Sequence, residues 1–203
     1  MFFPNILNAY RKMYLKYRTL SNLNAIYYLH ILENYPGITV NEITLKLNGS
    51  QPIVSQNLAV LRKSGFVKQK KSGRNVFYYI NYEEIDQFLQ LSHNIFNVTL
   101  ENLSENRYES LMKLKPLLKK SYLLFKSLTN KKRIYILDFL YKSKAAKINE
   151  MAEILEMDSP TISFYLKDFK SIGAIQTKNS GKQKIQLLNV DFFEKLHQHI
   201  TNV

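Results

Sequence analysis

Sliding the 203-residue chain by 108 positions lays residues 20–82 on 128–190 without a gap. Leu20, Asn22, Ile26, Tyr27, Leu29 and Leu32 meet Leu128, Asn130, Ile134, Tyr135, Leu137 and Leu140. Asn41-Glu42 meets Asn149-Glu150, and Pro52, Ser55 and Leu58 meet Pro160, Ser163 and Leu166. Four of the six glycines keep the register, Gly65 with Gly173 and Gly73 with Gly181, where a helix C-cap and a turn tip call for positive φ. A period of this size implies two copies of one unit. The match fades toward the first helix, where Lys12, Tyr14 and Leu15 meet Lys120, Tyr122 and Leu123.

The core of each copy is best read in Ser50 to Gly65, SQPIVSQNLAVLRKSG. Val54, Leu58 and Leu61 fall at i, i+4 and i+7 and form one buried stripe, while Pro52, Gln56, Ala59 and Lys63 point the other way. Ser50 is placed to N-cap this helix, and Gly65 to close it. FVKQK, the turn KSGRN and VFYYI then predict a hairpin with a basic tip. Upstream, TVNEITLKL opens on the capping box Thr39-x-x-Glu42 and ends three residues before Ser50. Helix, tight turn, helix and hairpin make a winged helix-turn-helix. The fold class is therefore mainly α with small β-hairpin wings, an α+β chain of two tandem winged units.

Earlier in the chain, Asn5 to Arg18 predicts a helix entered at Pro4, and SNLNAIYYLHILENYPG a helix capped at Ser21 or Asn22 and ended by Pro36-Gly37. Asn81-x-x-Glu84 has the form of a second capping box and opens a long helix carrying Ile85, Phe88, Leu89, Ile95 and Phe96. The domains are expected at 1–97 and 112–203, joined by a partly helical linker at 98–111. Pro116 either kinks the next helix or opens it.

Charge separates the units. The net charge is +13, which favours a polyanionic partner. Residues 1–82 carry eleven Lys and Arg against two acids, whereas residues 134–203 carry nine against eight. With no cysteine, disulfides and thiolate metal sites are excluded. The N-terminus is charged from Arg11 onward and shows no cleavage site, so neither a signal peptide nor a membrane span is expected, and the chain is placed in the cytoplasm. It offers no Gly-rich phosphate loop and no His/carboxylate cluster at catalytic spacing, which argues against an enzyme and against a bound cofactor.

SQPIVSQNLAVLRKSGFVKQKKSGRNVFYYI resembles the ArsR type of winged-helix regulator, closely over 20–82 and more loosely over 128–190. The resemblance implies a transcription regulator, expected to be a repressor, that places helix 50–64 in the major groove of double-stranded DNA and the wing at 68–75 on the backbone. It also implies dimerisation through first and last helices. Many members of that family sense metals, but the third helix here, NEITLKL, has no sulfur. Asp86 and His93 share a face yet lie about 10 Å apart along the axis, and His197 and His199 fall on nearly opposite sides of a helix. No metal site is expected, and no effector is named.

Base contacts are assigned to the amides of Gln51 and Gln56, with Ser50, Ser55 and Asn57 near the helix N-terminus reaching base edges or phosphates. Arg62, Lys63, Lys68, Lys70, Lys71 and Arg74 are assigned to phosphates. Each group alone is a solvated face or a charged turn; together, behind a capped helix, they form a DNA reader. In the second unit the counterparts of Gln56 and Lys71 are Phe164 and Asn179, and its candidate contacts are Ser159, Thr161, Ser163, Phe164, Lys167, Lys178 and Lys182. Two architectures stay open. In one, the units pair within the chain as a monomeric pseudo-dimer; in the other, first units make a homodimer and second units serve as interaction modules. The functional alternative is a winged-helix interaction scaffold without specific DNA binding.

Overall fold

A computed structural model of the protein describes residues 7–96, 107–181 and 183–200. They form two compact units: one runs from Leu15 to Leu118, and the other joins the described residues up to Tyr14 with those from Lys119 onward. Each unit is built on one three-stranded antiparallel sheet flanked by helices.

In the Leu15–Leu118 unit, the C-terminal half of α1 (Leu7–Leu20) leads into α2 (Leu23–Asn34), capped by Asn22, whose side chain accepts from Asn24 N at 3.0 Å. A two-residue strand β1 (Ile38–Thr39) precedes α3 (Val40–Leu47). The predicted capping box is formed there, Thr39 N donating to Glu42 Oε2 at 2.8 Å and Glu42 N to Thr39 Oγ1 at 3.3 Å. Asn48 closes α3 in the left-handed region, and α4 (Gln51–Lys63) follows. Ser50 holds the N-cap position of α4 with extended backbone, but its hydroxyl makes no capping bond.

The end of α4 is a Schellman turn. Phe66 N reaches Leu61 O at 3.1 Å and Gly65 N reaches Arg62 O at 3.0 Å, with Gly65 at φ +89°. β2 (Val67–Ser72) and β3 (Asn75–Ile80) pair in register from Val67↔Ile80 to Ser72↔Asn75, so Gly73 and Arg74 alone make the tip. Gly73, at φ +59°, occupies the first corner as a tight hairpin turn requires. β1 joins the far side of β3 through Ile38↔Tyr78 and Thr39↔Phe77. That edge strand is too short for any alternation to betray it in the sequence.

α5 (Tyr82–Phe96) packs on this frame. Phe88 touches Phe66 edge-on at 5.5 Å between centroids and Tyr17 at 4.8 Å, and the Tyr17 hydroxyl is bonded to Ser92 Oγ at 2.8 Å. The expected Asn81/Glu84 capping box does not form. Glu84 turns instead to Lys16, a buried ammonium that needs a counter-charge more than the helix end needs a cap. Asn81 donates through Nδ2 to Gly65 O at 2.9 Å, tying α5 to the end of α4.

The second unit holds α7 (Lys131–Ser143), β4 (Ala145–Lys147), α8 (Ile148–Ile154), α9 (Ser159–Ser171), β5 (Ile175–Ser180), β6 (Gln183–Leu188) and α10 (Val190–Ile200). Its sheet order, β4-β6-β5, follows that of β1-β3-β2, and Ala146↔Gln186 and Lys147↔Ile185 repeat the β1–β3 register 108 positions on. Gly173 and Gly181 have φ of +77° and +60°. α6 (Arg107–Leu128) contributes residues up to Leu118 to one unit and the rest to the other, with Pro116 inside the helix rather than at its start. Of the expected linker, 107–111 is the first turn of α6 and the remainder lies outside the described residues. In this unit Tyr10 is fully buried against Phe125, and Tyr14 stacks on Tyr122 with centroids 5.5 Å apart.

Candidate nucleic-acid interface

α4 is held by its back, as its spacing predicts: Val54, Leu58 and Leu61 are buried to within about one per cent of their surface. Gln51, Pro52, Ser55, Gln56, Ala59, Arg62 and Lys63 are exposed. Of the predicted reading residues, Ser50, Gln51, Ser55 and Gln56 are exposed, as are Arg62 and Lys63 at the helix end. Asn57 does not point fully out. It is half-buried, its Nδ2 donating to Ile53 O at 2.9 Å, and it bonds to the Tyr28 hydroxyl, which partly offsets the rise that burial imposes on that phenol's pKa. Gln51 Nε2 donates to Asn41 Oδ1 at 3.2 Å, which locks the start of α4 to α3 and orients that amide.

Lys68, Lys70 and Lys71 on β2 and Arg74 at the tip are all exposed. Among the described residues none of them is in an ion pair. Four unpaired cations on one hairpin, beyond the end of a helix carrying two more, make a strip of positive charge that attracts phosphates. Sequence reasoning missed Ile53, 58% exposed, which lies off the buried stripe and beside the reading amides. An apolar side chain in that place suits a thymine methyl. Its signal was available: it is the one large aliphatic in the first turn of α4 that the stripe does not use.

The second unit presents a different surface. α9 exposes Ser163, Phe164 and Lys167, with Phe164 62% open to solvent; Ser159 and Thr161 are half-buried. Lys178 is exposed on β5, and Lys182 lies outside the described residues. Ser159 Oγ bonds to Asn149 Oδ1 at 3.3 Å, the counterpart of the Gln51–Asn41 bond. Where the first unit has Ser50, this one has Asp158, whose Oδ1 accepts from Thr161 N at 2.7 Å. Its hydrogen bonds with Thr161, side chain and backbone, hold the carboxyl below the usual carboxylate range. A fixed negative charge thus stands at the helix end where a phosphate would approach.

The Asp86 carboxylate is taken by Arg107 in a two-pronged pair, both contacts 2.8 Å, and so is not available to His93 for chelation. Among the described residues, no group of three or more His, Cys, Asp or Glu could hold a metal ion, and no helix is long and apolar enough to cross a membrane.

Comparison with known proteins places these features. Residues 27–69, from α2 to the first half of β2, match the family described as bacterial regulatory protein, arsR family. The chain is 34% identical over 59 residues to the transcriptional activator HlyU of Vibrio cholerae, covering 29% of this chain and 55% of that protein. It is 32% identical over 65 residues to the biofilm growth-associated repressor of Agrobacterium fabrum, covering 32% of this chain and 56% of that one. Similarity at 24% extends over 162 residues, 80% of this chain, to an uncharacterized HTH-type transcriptional regulator of Methanocaldococcus jannaschii, of which it covers 32%. The chain thus spans little more than half the length of the first two relatives. Residues 27–69 form an ArsR-type helix-turn-helix domain, and its relatives are transcriptional regulators.

Proposed function

We propose that the protein is a sequence-specific regulator of transcription that binds double-stranded DNA and acts as a repressor. Helix 50–64 enters the major groove and the wing at 68–75 lies along the backbone. The observation that carries this reading is the shared exposure, on one ArsR-type module, of the amides on α4 and the unpaired cations of β2 and its tip. Gln56 and Gln51 read base edges, and Ser50, Ser55, Arg62, Lys63, Lys68, Lys70, Lys71 and Arg74 fix the register on phosphates. Titration of the chain with operator and random duplexes at rising salt tests it. Affinity that falls steeply with salt and prefers one sequence is expected. Salt-insensitive or absent binding refutes it.

The chain is further taken as two winged helix-turn-helix domains, 1–97 and 112–203, arranged as an intrachain pseudo-dimer. What supports two like domains is the β4–β6 register, which repeats that of β1–β3 108 positions on. Such a molecule reads an asymmetric site with unlike halves.

A second reading, an interaction scaffold, is favoured by one feature: Phe164 stands exposed at the centre of the α9 face. Under that reading the winged helices bind protein, without specific DNA binding.

A further inference from the structure

A cavity of about 440 Å³ opens within the Leu15–Leu118 unit, between the last turn of α1, the start of α2 and one flank of α4. Two cations border it, Arg18 and Lys63, and among the described residues neither forms an ion pair. The amides of Asn22, Gln56 and Asn57 add hydrogen-bonding groups, and Val60 and Ala25 supply apolar wall. Thr19 also lines it; 3% exposed, its Oγ1 is buried and has no hydrogen-bond partner among the described residues. A buried hydroxyl left unpaired costs stability, and rotation about χ1 between the two rotamers open to a helical threonine can turn it toward the cavity. Cationic rim, amide walls, apolar flank and orphaned hydroxyl are complementary to one class of ligand.

We infer that this cavity binds a small organic anion, a carboxylate or phosphate ester with a compact apolar body, its charge between Arg18 and Lys63 and one oxygen on Thr19. Occupation would engage Gln56, Asn57 and Lys63, three residues of the helix assigned to DNA. An anion seated there takes Lys63 from the backbone phosphate and fixes the Gln56 amide away from a base. It therefore lowers DNA affinity, and by linkage DNA lowers anion affinity by the same factor. The anion site stands without the DNA reading; only this coupling rests on it.

Calorimetric titration of the full chain, without DNA, with benzoate, inorganic phosphate and neutral benzamide tests the site. One-to-one binding of benzoate or phosphate with Kd of about 1 mM or tighter is expected, with benzamide at least about tenfold weaker. Arg18→Gln should weaken the anion about tenfold or more, since a charge-assisted hydrogen bond is lost. Thr19→Val, which replaces an unpaired hydroxyl by a methyl of the same shape, should leave the melting temperature unchanged or raised while weakening the anion severalfold. Heats absent for both anions at about 10 mM, or anion affinity unchanged in Arg18→Gln, overturn the proposal. So does loss of random-duplex affinity in Arg18→Gln without anion binding in the parent, because the pocket is then a DNA phosphate clamp. Repeating the benzoate titration on a saturated DNA complex reads the coupling separately.

Discussion

Tyr14 and Tyr122 stack with ring centroids 5.5 Å apart and planes 27° apart, and they stand 108 positions apart in the sequence, the offset that aligns its two halves. Both rings are half-buried, and Lys126 Nζ lies 5.8 Å from the Tyr122 ring centre. If the copies pair inside one chain, light scattering should give a monomer of 23.9 kDa, alone and on DNA. A double-mutant cycle of Tyr14→Ala and Tyr122→Ala should return a coupling of about 0.5–1.5 kcal/mol. A concentration-dependent dimer of twice that mass would instead assign the pairing to separate chains.

Gln56→Ala and Lys71→Ala should fail in different ways. The first removes an amide that can pair with adenine and should cost about 1–3 kcal/mol on the preferred duplex, with little change on random DNA. The second should weaken every duplex alike and lower the salt slope by about one. Equal losses for Gln56→Ala on both duplexes would remove it from the base-reading set.

Asp158→Asn preserves an N-cap acceptor on α9 and removes the charge at its tip. If the second unit contacts DNA, affinity for random duplex should rise severalfold at low salt and the gain should vanish at high salt. An unchanged affinity at all salt concentrations would place α9 away from the nucleic acid and favour a protein partner for Phe164.

Gly65→Ala should destabilise the protein by more than about 1 kcal/mol in a chemical denaturation series. The residue sits at φ +89°, and an added Cβ would lie 3.2 Å from Glu84 Oε2, pressing on the carboxylate that neutralises Lys16. Gly73→Ala is the control: its φ is also positive, but a Cβ there meets nothing within 4 Å, so its loss should be the smaller.

Acid should loosen the start of α3. The backbone N–H and then the hydroxyl of Thr39 hold the Glu42 carboxyl below its ordinary pKa. A lowered folded-state pKa means that the contribution is complete above the unfolded value, near 4.3, and is lost as pH falls through the folded value. Glu42→Gln should therefore flatten the stability curve below about pH 4.3 and leave its neutral-pH shape intact, as followed by far-UV melting.

The helix-turn-helix was legible because its signals are local. The Val54, Leu58 and Leu61 stripe, the Thr39–Glu42 box and the Gly65 cap each involve residues a few positions apart, and each is found in place. The Asn81–Glu84 box failed because Lys16, remote in sequence, claims Glu84. Asn57 was assigned to base edges or phosphates from its place near the helix N-terminus, whereas Tyr28 on a neighbouring helix draws it in. The cavity beside α4 left no trace in the sequence, since its lining comes from three helices whose spacing only tertiary packing sets.

The division of α1 has a consequence for how the chain is made. Its N-terminal half belongs with residues from Lys119 onward, so Tyr10, fully buried, must wait for Phe125. At roughly 5–20 residues per second the ribosome needs about 5–20 s to supply that partner. Through that interval the N-terminal half of α1 waits for its aromatic partner, while every residue of the Leu15–Leu118 unit is supplied before Phe125 is.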